Sequence, residues 1–148
     1  DRLGEHAAAA GVSAFIVPDL PLDEAADFRA LVEPHGLGLV QLVTPATTPE
    51  RRVKLASAAR GFVYAVTVTG ITGGDVGPDG DIAQILEALR AESAVPVMAG
   101  FGIRRPAQVS ALSAHADGVI VGSALLDCIR DGGDPSAFLR TLSGPRRR

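Results

Sequence analysis

Short apolar runs alternate along the chain with longer stretches that are apolar on one side only. The runs are Ala14 to Val17, Leu39 to Val43, Phe62 to Val68, Val95 to Ala99 and Gly118 to Val121. They are nearly unbroken, as in parallel strands buried on both faces. Between them, Leu22, Ala25, Ala26, Phe28, Leu31 and Val32 recur at helical spacing and predict a helix from Leu22 to Val32 that Gly36 stops. Thr48 followed by Pro49 predicts an N-cap and a first helical position, and Gly61 the end of that helix. Ile82, Ile85, Leu86 and Leu89 mark a further stripe, and Pro106 and Pro135 open two more helices. The whole reads αβαβαβαβαβαα, one domain over residues 1–148. Strand–helix–strand repetition through short connections implies right-handed crossovers and a parallel α/β sheet. Five such strands fit either a doubly wound sheet or part of a TIM (βα)8 barrel, which takes about 250 residues when complete. Both folds hold ligands at the carboxyl ends of their strands.

With 47% hydrophobic and 21% charged residues in 148, the chain can bury a core. The net charge is −3, and basic residues gather only at Arg104-Arg105 and at Arg146 to Arg148, so no basic face for nucleic acid is expected. Cys128 is the single cysteine, which excludes an internal disulfide and suits a reducing compartment. No apolar run approaches the roughly 20 residues that span a bilayer. No signal peptide is read, and the cytoplasm is the expected location. The first residue is Asp1 and the only methionine is Met98.

The loops carry the chemistry. Ala99-Gly100-Phe101-Gly102-Ile103 follows the fourth strand, and Val121-Gly122-Ser123-Ala124 the fifth. Glycines let the backbone approach a ligand, and Ser123 stands at a helix start, where amides lack partners. Two such loops on adjacent strands make an anion site, as in barrels that hold phosphate at their last two strands. The alternative is that the glycines only make tight turns. The glycine-rich loop between Tyr64 and Asp81 is not a Walker A loop, since the only lysine is Lys54. Nor is it an EF-hand, having Gly77 and Leu86 where calcium ligands belong. With few apolar anchors it reads as a lid. Its aspartates read as loop formers, with Asp79 or Asp81 capping the next helix. His6, His35 and His115 lack metal-ligand spacing, and neither metal nor cofactor is expected.

Pro18-Asp19-Leu20-Pro21, Tyr64, Gly70-Ile71-Thr72-Gly73, Gly100-Phe101-Gly102-Ile103 and Gly122-Ser123-Ala124 occur in this order. The ordered set resembles the tryptophan synthase alpha subunit over essentially the whole chain. That family is a (βα)8 barrel cleaving indole-3-glycerol phosphate to indole and glyceraldehyde 3-phosphate, a carbon–carbon lyase of tryptophan biosynthesis that works with a beta subunit in a heterotetramer. The resemblance implies a phosphate pocket at Gly100, Phe101, Gly102, Gly122 and Ser123. It implies a substrate tyrosine at Tyr64, a lid at Thr72 and Gly73 whose threonine positions a catalytic aspartate, and an apolar indole pocket at Ile16 and Leu42. It places Asp19 in the surface facing the beta subunit. From the residues alone, Tyr64 serves either as a core aromatic or as a substrate contact.

On this resemblance the chain starts near the helix before the fourth barrel strand, with the first three strands absent. The family's catalytic Glu and Asp would go with them. The expectation is then a chain that binds phosphate without cleaving, since this chemistry needs an acid and a base together. Asp19 is the best substitute carboxylate, against a reading as a turn former between two prolines. The rival function is a non-catalytic phosphate- or partner-binding module. A five-strand arc would leave two open edges, and the expectation is a chain that is marginally stable, or that associates through those edges or with a missing half supplied in trans.

Overall fold

The computed structural model describes residues 2–67, 80–100 and 102–143. Its strands are β1 (Ala14–Ile16), β2 (Gly38–Val43), β3 (Val63–Val66), β4 (Val97–Gly100) and β5 (Gly118–Val119). They are parallel and lie side by side in the order β1-β2-β3-β4-β5. A doubly wound sheet reverses strand order at a switch point, and this sheet has no reversal. Sequential order is that of a barrel arc.

Helices α1 (Leu3–Ala9), α2 (Ala26–Val32), α3 (Pro49–Ala58), α4 (Gly80–Glu92), α5 (Pro106–Leu112), α6 (Ser123–Arg130) and α7 (Pro135–Ser143) alternate with the strands along the chain, α6 and α7 following the last. The helix expected from Leu22 is split: a 3₁₀ turn spans Leu22–Glu24, and α2 begins only after Ala25, which is fully buried. Gly36 does stop the run, at φ +75 after a second 3₁₀ turn over Glu33–His35. Thr48 caps α3 by accepting from the Arg51 amide, with Pro49 at the first position. Helix α3 ends at Ala58, before Gly61, which takes its left-handed φ of +86 in the turn leading to β3. Asp81 lies inside the first turn of α4 instead of capping it, and Asp79 is outside the described residues. The ladder of β4 starts two residues later than expected. Pro96 has no N–H to donate, and the Val95 amide goes to Ser93 Oγ at 3.2 Å.

Register divides the sheet into two unlike faces. Phe15 pairs with Leu39, and Val43, Ala65, Ala99 and Val119 follow one another across four strands. Register partners share a face, and this one carries the core. Val43, Ala65 and Ala99 pack against Leu55 and Ala56 of α3 and Leu86 and Leu89 of α4. At the β1 end a second cluster of Ala7, Val32 and Leu37 gathers Phe15 and Phe28, whose rings meet edge to face at 5.5 Å. The opposite face runs from Ile16 through Val40 and Leu42, Tyr64 and Met98 to Gly118, with Val40 only 2% exposed. Neither core cluster includes a residue of it. Leu42, Tyr64 and Met98 are half-buried and Ile16 is 45% exposed. Among the described residues, β1 and β5 are the end strands of this arc.

Polar links tie the outer helices together. Arg52 of α3 grips Glu92 of α4 with two bonds, Nε to Oε2 at 2.9 Å and Nη2 to Oε1 at 2.7 Å. The bonds from Arg52 hold the Glu92 carboxyl below its ordinary value, against the opposing pull of partial burial. A depressed folded-state pKa stabilises above the unfolded value, and the gain is lost as pH falls through the folded one. Glu92→Gln is expected to cost about 1 kcal/mol at pH 7. Urea titrations of both proteins should converge as the pH drops below 4.5, the carboxyl's ordinary value. At the amino ends of the strands, Asp117 accepts from the Val97 amide at 2.8 Å and from Arg90 Nε at 3.0 Å. His115 meets Glu87 at 2.7 Å nearby, and among the described residues no histidine joins a metal-ligating cluster. An open cleft of about 500 Å³ at this end is lined by Arg90, Pro96 and Asp117, away from the strand carboxyl ends.

Candidate functional site

The site is built where β4 and β5 release the chain. Ile120 N donates to Ala99 O at 2.8 Å, so the two following loops leave neighbouring strands in the same direction. At Gly100 a β-carbon would sit 2.7 Å from Ile120 O and 3.3 Å from Tyr64 Cε2. Glycine there lets the β4 exit lie against both β5 and the tyrosine ring. Gly102 turns the loop with φ +66, a conformation glycine adopts without strain. The buried side chain of Ile103 then anchors the loop in the core.

Gly122 precedes α6 with φ −110, and a β-carbon there would meet nothing within 4 Å. Its carbonyl accepts from Leu125 N at 2.9 Å and Leu126 N at 3.2 Å. The amides of Ser123 and Ala124 therefore come before the first intrahelical bond, as opening amides of a helix do. Gly122 and Ser123 are exposed. Amides of this kind, with the positive end of the helix dipole, attract anions.

Tyr64 stands in the middle of the face opposite the core, in register with Leu42 on one side and Met98 on the other. Desolvation pushes its phenol above the ordinary tyrosine value, so it stays protonated at neutral pH. Ile16 lies two strands away on the same face, at the carboxyl end of β1. The expected apolar pair and the expected tyrosine are thus brought to one surface, next to Gly100. Asp19 is exposed three residues beyond β1, inside the turn that the Leu20 amide closes on Val17 O, as the turn-former reading expects. Thr72, Gly73 and Phe101 lie outside the described residues.

Sequence reasoning did not single out Met98, Gly118 or Ile120. Met98 and Gly118 follow from Tyr64 by register, and Ile120 comes two residues after Gly118. Thr67, at the top of β3, was also passed over. It is 3% exposed, and its hydroxyl has no partner among the described residues.

Comparison with known proteins fits this geometry. The family model for tryptophan synthase alpha chain matches residues 1–140. The tryptophan synthase alpha chain of Nitratidesulfovibrio vulgaris is 46% identical over 140 residues, covering 95% of this chain and 54% of that relative. That of Geobacter sulfurreducens is 44% identical over 126 residues, covering 85% and 48%. Among solved structures, tryptophan synthase subunit alpha from Campylobacter jejuni superposes with a TM-score of 0.78 at 30% identity, over 95% of this chain and 56% of that one. A structure of the tryptophan synthase a2b2 complex from Pyrococcus furiosus gives 0.81 at 31% identity, over 94% and 58%. The chain spans about half the length of the relatives it matches. With sequential parallel strands, paired glycine loops and a model match over nearly its full length, the chain belongs to the tryptophan synthase alpha chain family.

Proposed function

We propose that this chain supplies the phosphate-binding and apolar half of a site for indole-3-glycerol phosphate. The observation that carries this reading is the pair of glycine loops leaving adjacent parallel strands, one of them opening α6 at the exposed residues Gly122 and Ser123. Gly100, Gly102, Gly122 and Ser123 take the phosphate, with Phe101 assigned by resemblance. Ile16, Leu42 and Tyr64 face the indole ring, and Thr72 and Gly73 belong to the lid. In the complete reaction a carbon–carbon bond breaks with proton transfer at the ring and at the glycerol hydroxyl, which takes an acid and a base. Among the described residues, the first three past each strand end offer one carboxylate, Asp19. By itself the chain therefore binds without turnover. Its partner in tryptophan biosynthesis is a beta subunit, met through the surface that includes Asp19, and its setting is the cytoplasm.

Titration calorimetry with glycerol 3-phosphate, together with an indole-release assay on indole-3-glycerol phosphate, tests this reading. Saturable binding without indole release is expected. Absence of binding would overturn the phosphate site, and indole release by the chain alone would overturn the division between binding and catalysis.

A further inference from the structure

We infer that Arg104 and Asp127 form a positioning pair, an ion pair that holds the two glycine loops at the spacing a phosphate needs. The inference rests on the phosphate-site reading above. Arg104 stands two residues past Gly102, and Asp127 lies one helical turn along α6 from Ser123. Arg104 Nη1 reaches Asp127 Oδ2 at 2.9 Å.

Both partners are fixed from elsewhere. The backbone amides of Arg104 and Arg105 donate to Gln108 Oε1 at 2.9 and 3.0 Å, which ties this segment to the start of α5. Ile103, one residue earlier, is buried in the core. Asp127 is held on its other oxygen by Arg130 Nη2 at 3.1 Å. The pair therefore joins α5 and α6, the two helices entered through the anion loops. The β4–β5 ladder pairs residues no further than Ala99 with Val119, and the ion pair links the segments beyond it.

Asp127 makes this testable by sign. It is a negative charge one turn from an anion site, so a purely electrostatic role predicts that removing it tightens phosphate binding. Positioning predicts the reverse, because Arg104 loses its anchor and the loops lose their spacing. Glycerol 3-phosphate binding is measured by calorimetry for the wild-type chain, Asp127→Asn, Arg104→Gln and the double variant.

An exposed pair of this kind sets the scale, and each single change is expected to weaken binding about two- to fivefold. The double variant should be no weaker than either single one, since one interaction is lost once. The wild-type advantage should shrink in 1 M salt, where the pair is screened over about 3 Å. Thermal midpoints without ligand should stay within about 2 °C, which separates the effect from unfolding. Unchanged or tighter binding by Asp127→Asn, or additive losses, would overturn the pair's positioning role. No binding by the wild-type chain would instead remove the phosphate reading on which the inference stands.

Discussion

Replacing Gly122 by aspartate is expected to weaken glycerol 3-phosphate binding about 100-fold and to leave the thermal midpoint where it is. The position has room for a side chain: a β-carbon on Gly122 meets nothing within 4 Å, and its φ of −110 is not left-handed. It is exposed, so an aspartate there keeps its hydration in the free protein. The cost falls on the complex. A unit charge about 5 Å from a phosphate of nearly two charges opposes it by about 3 kcal/mol at an effective dielectric near 40. That energy is the expected hundredfold. A change at Gly100 would not be diagnostic, because its β-carbon would strike Ile120 O at 2.7 Å and lose binding through damage to the sheet. Calorimetry and a melt on the same Gly122→Asp sample decide the matter, and unchanged affinity would remove α6 from the site.

The elements were legible because parallel strands write themselves as continuous apolar runs, and prolines and glycines mark the helix ends. The same continuity hid which face of each strand is which. In Tyr64-Ala65-Val66 nothing in the side chains says that Ala65 meets α3 and α4 while Tyr64 faces away; only register across neighbouring strands does. Strand order was equally silent, because a doubly wound sheet and a barrel arc share their local pattern and differ in which strands are neighbours. The loop glycines could be read, since close backbone approach excludes other residues. The Arg104–Asp127 pair could not, since the partners lie 23 positions apart on separate βα units and both are ordinary surface residues in sequence. The late start of β4 was readable in principle from Pro96, which breaks the ladder whatever its neighbours prefer.

Leu86→Ala is expected to destabilise the chain by about 3 kcal/mol, and Ile16→Ala by less than about 1 kcal/mol. Both residues are large and aliphatic, and they report on opposite sides of the sheet. Leu86 is fully buried between the strands and α3, so truncation loses its transfer energy and leaves a cavity that rigid neighbours cannot close. Ile16 is 45% exposed on the opposite face at the β1 edge, and truncation there removes far less buried surface. Urea unfolding of the two variants at low protein concentration measures the asymmetry. If the losses came out equal, the face bearing Ile16, Leu42 and Tyr64 would be covered in solution. Repeating the titration over a range of concentrations would then show whether a second copy covers it: a midpoint rising with concentration means association across the edges of β1 and β5. A concentration-independent midpoint with a small Ile16 effect means that the fold of this chain is held from its helical side, and that the apolar face stands open to the substrate it is proposed to bind.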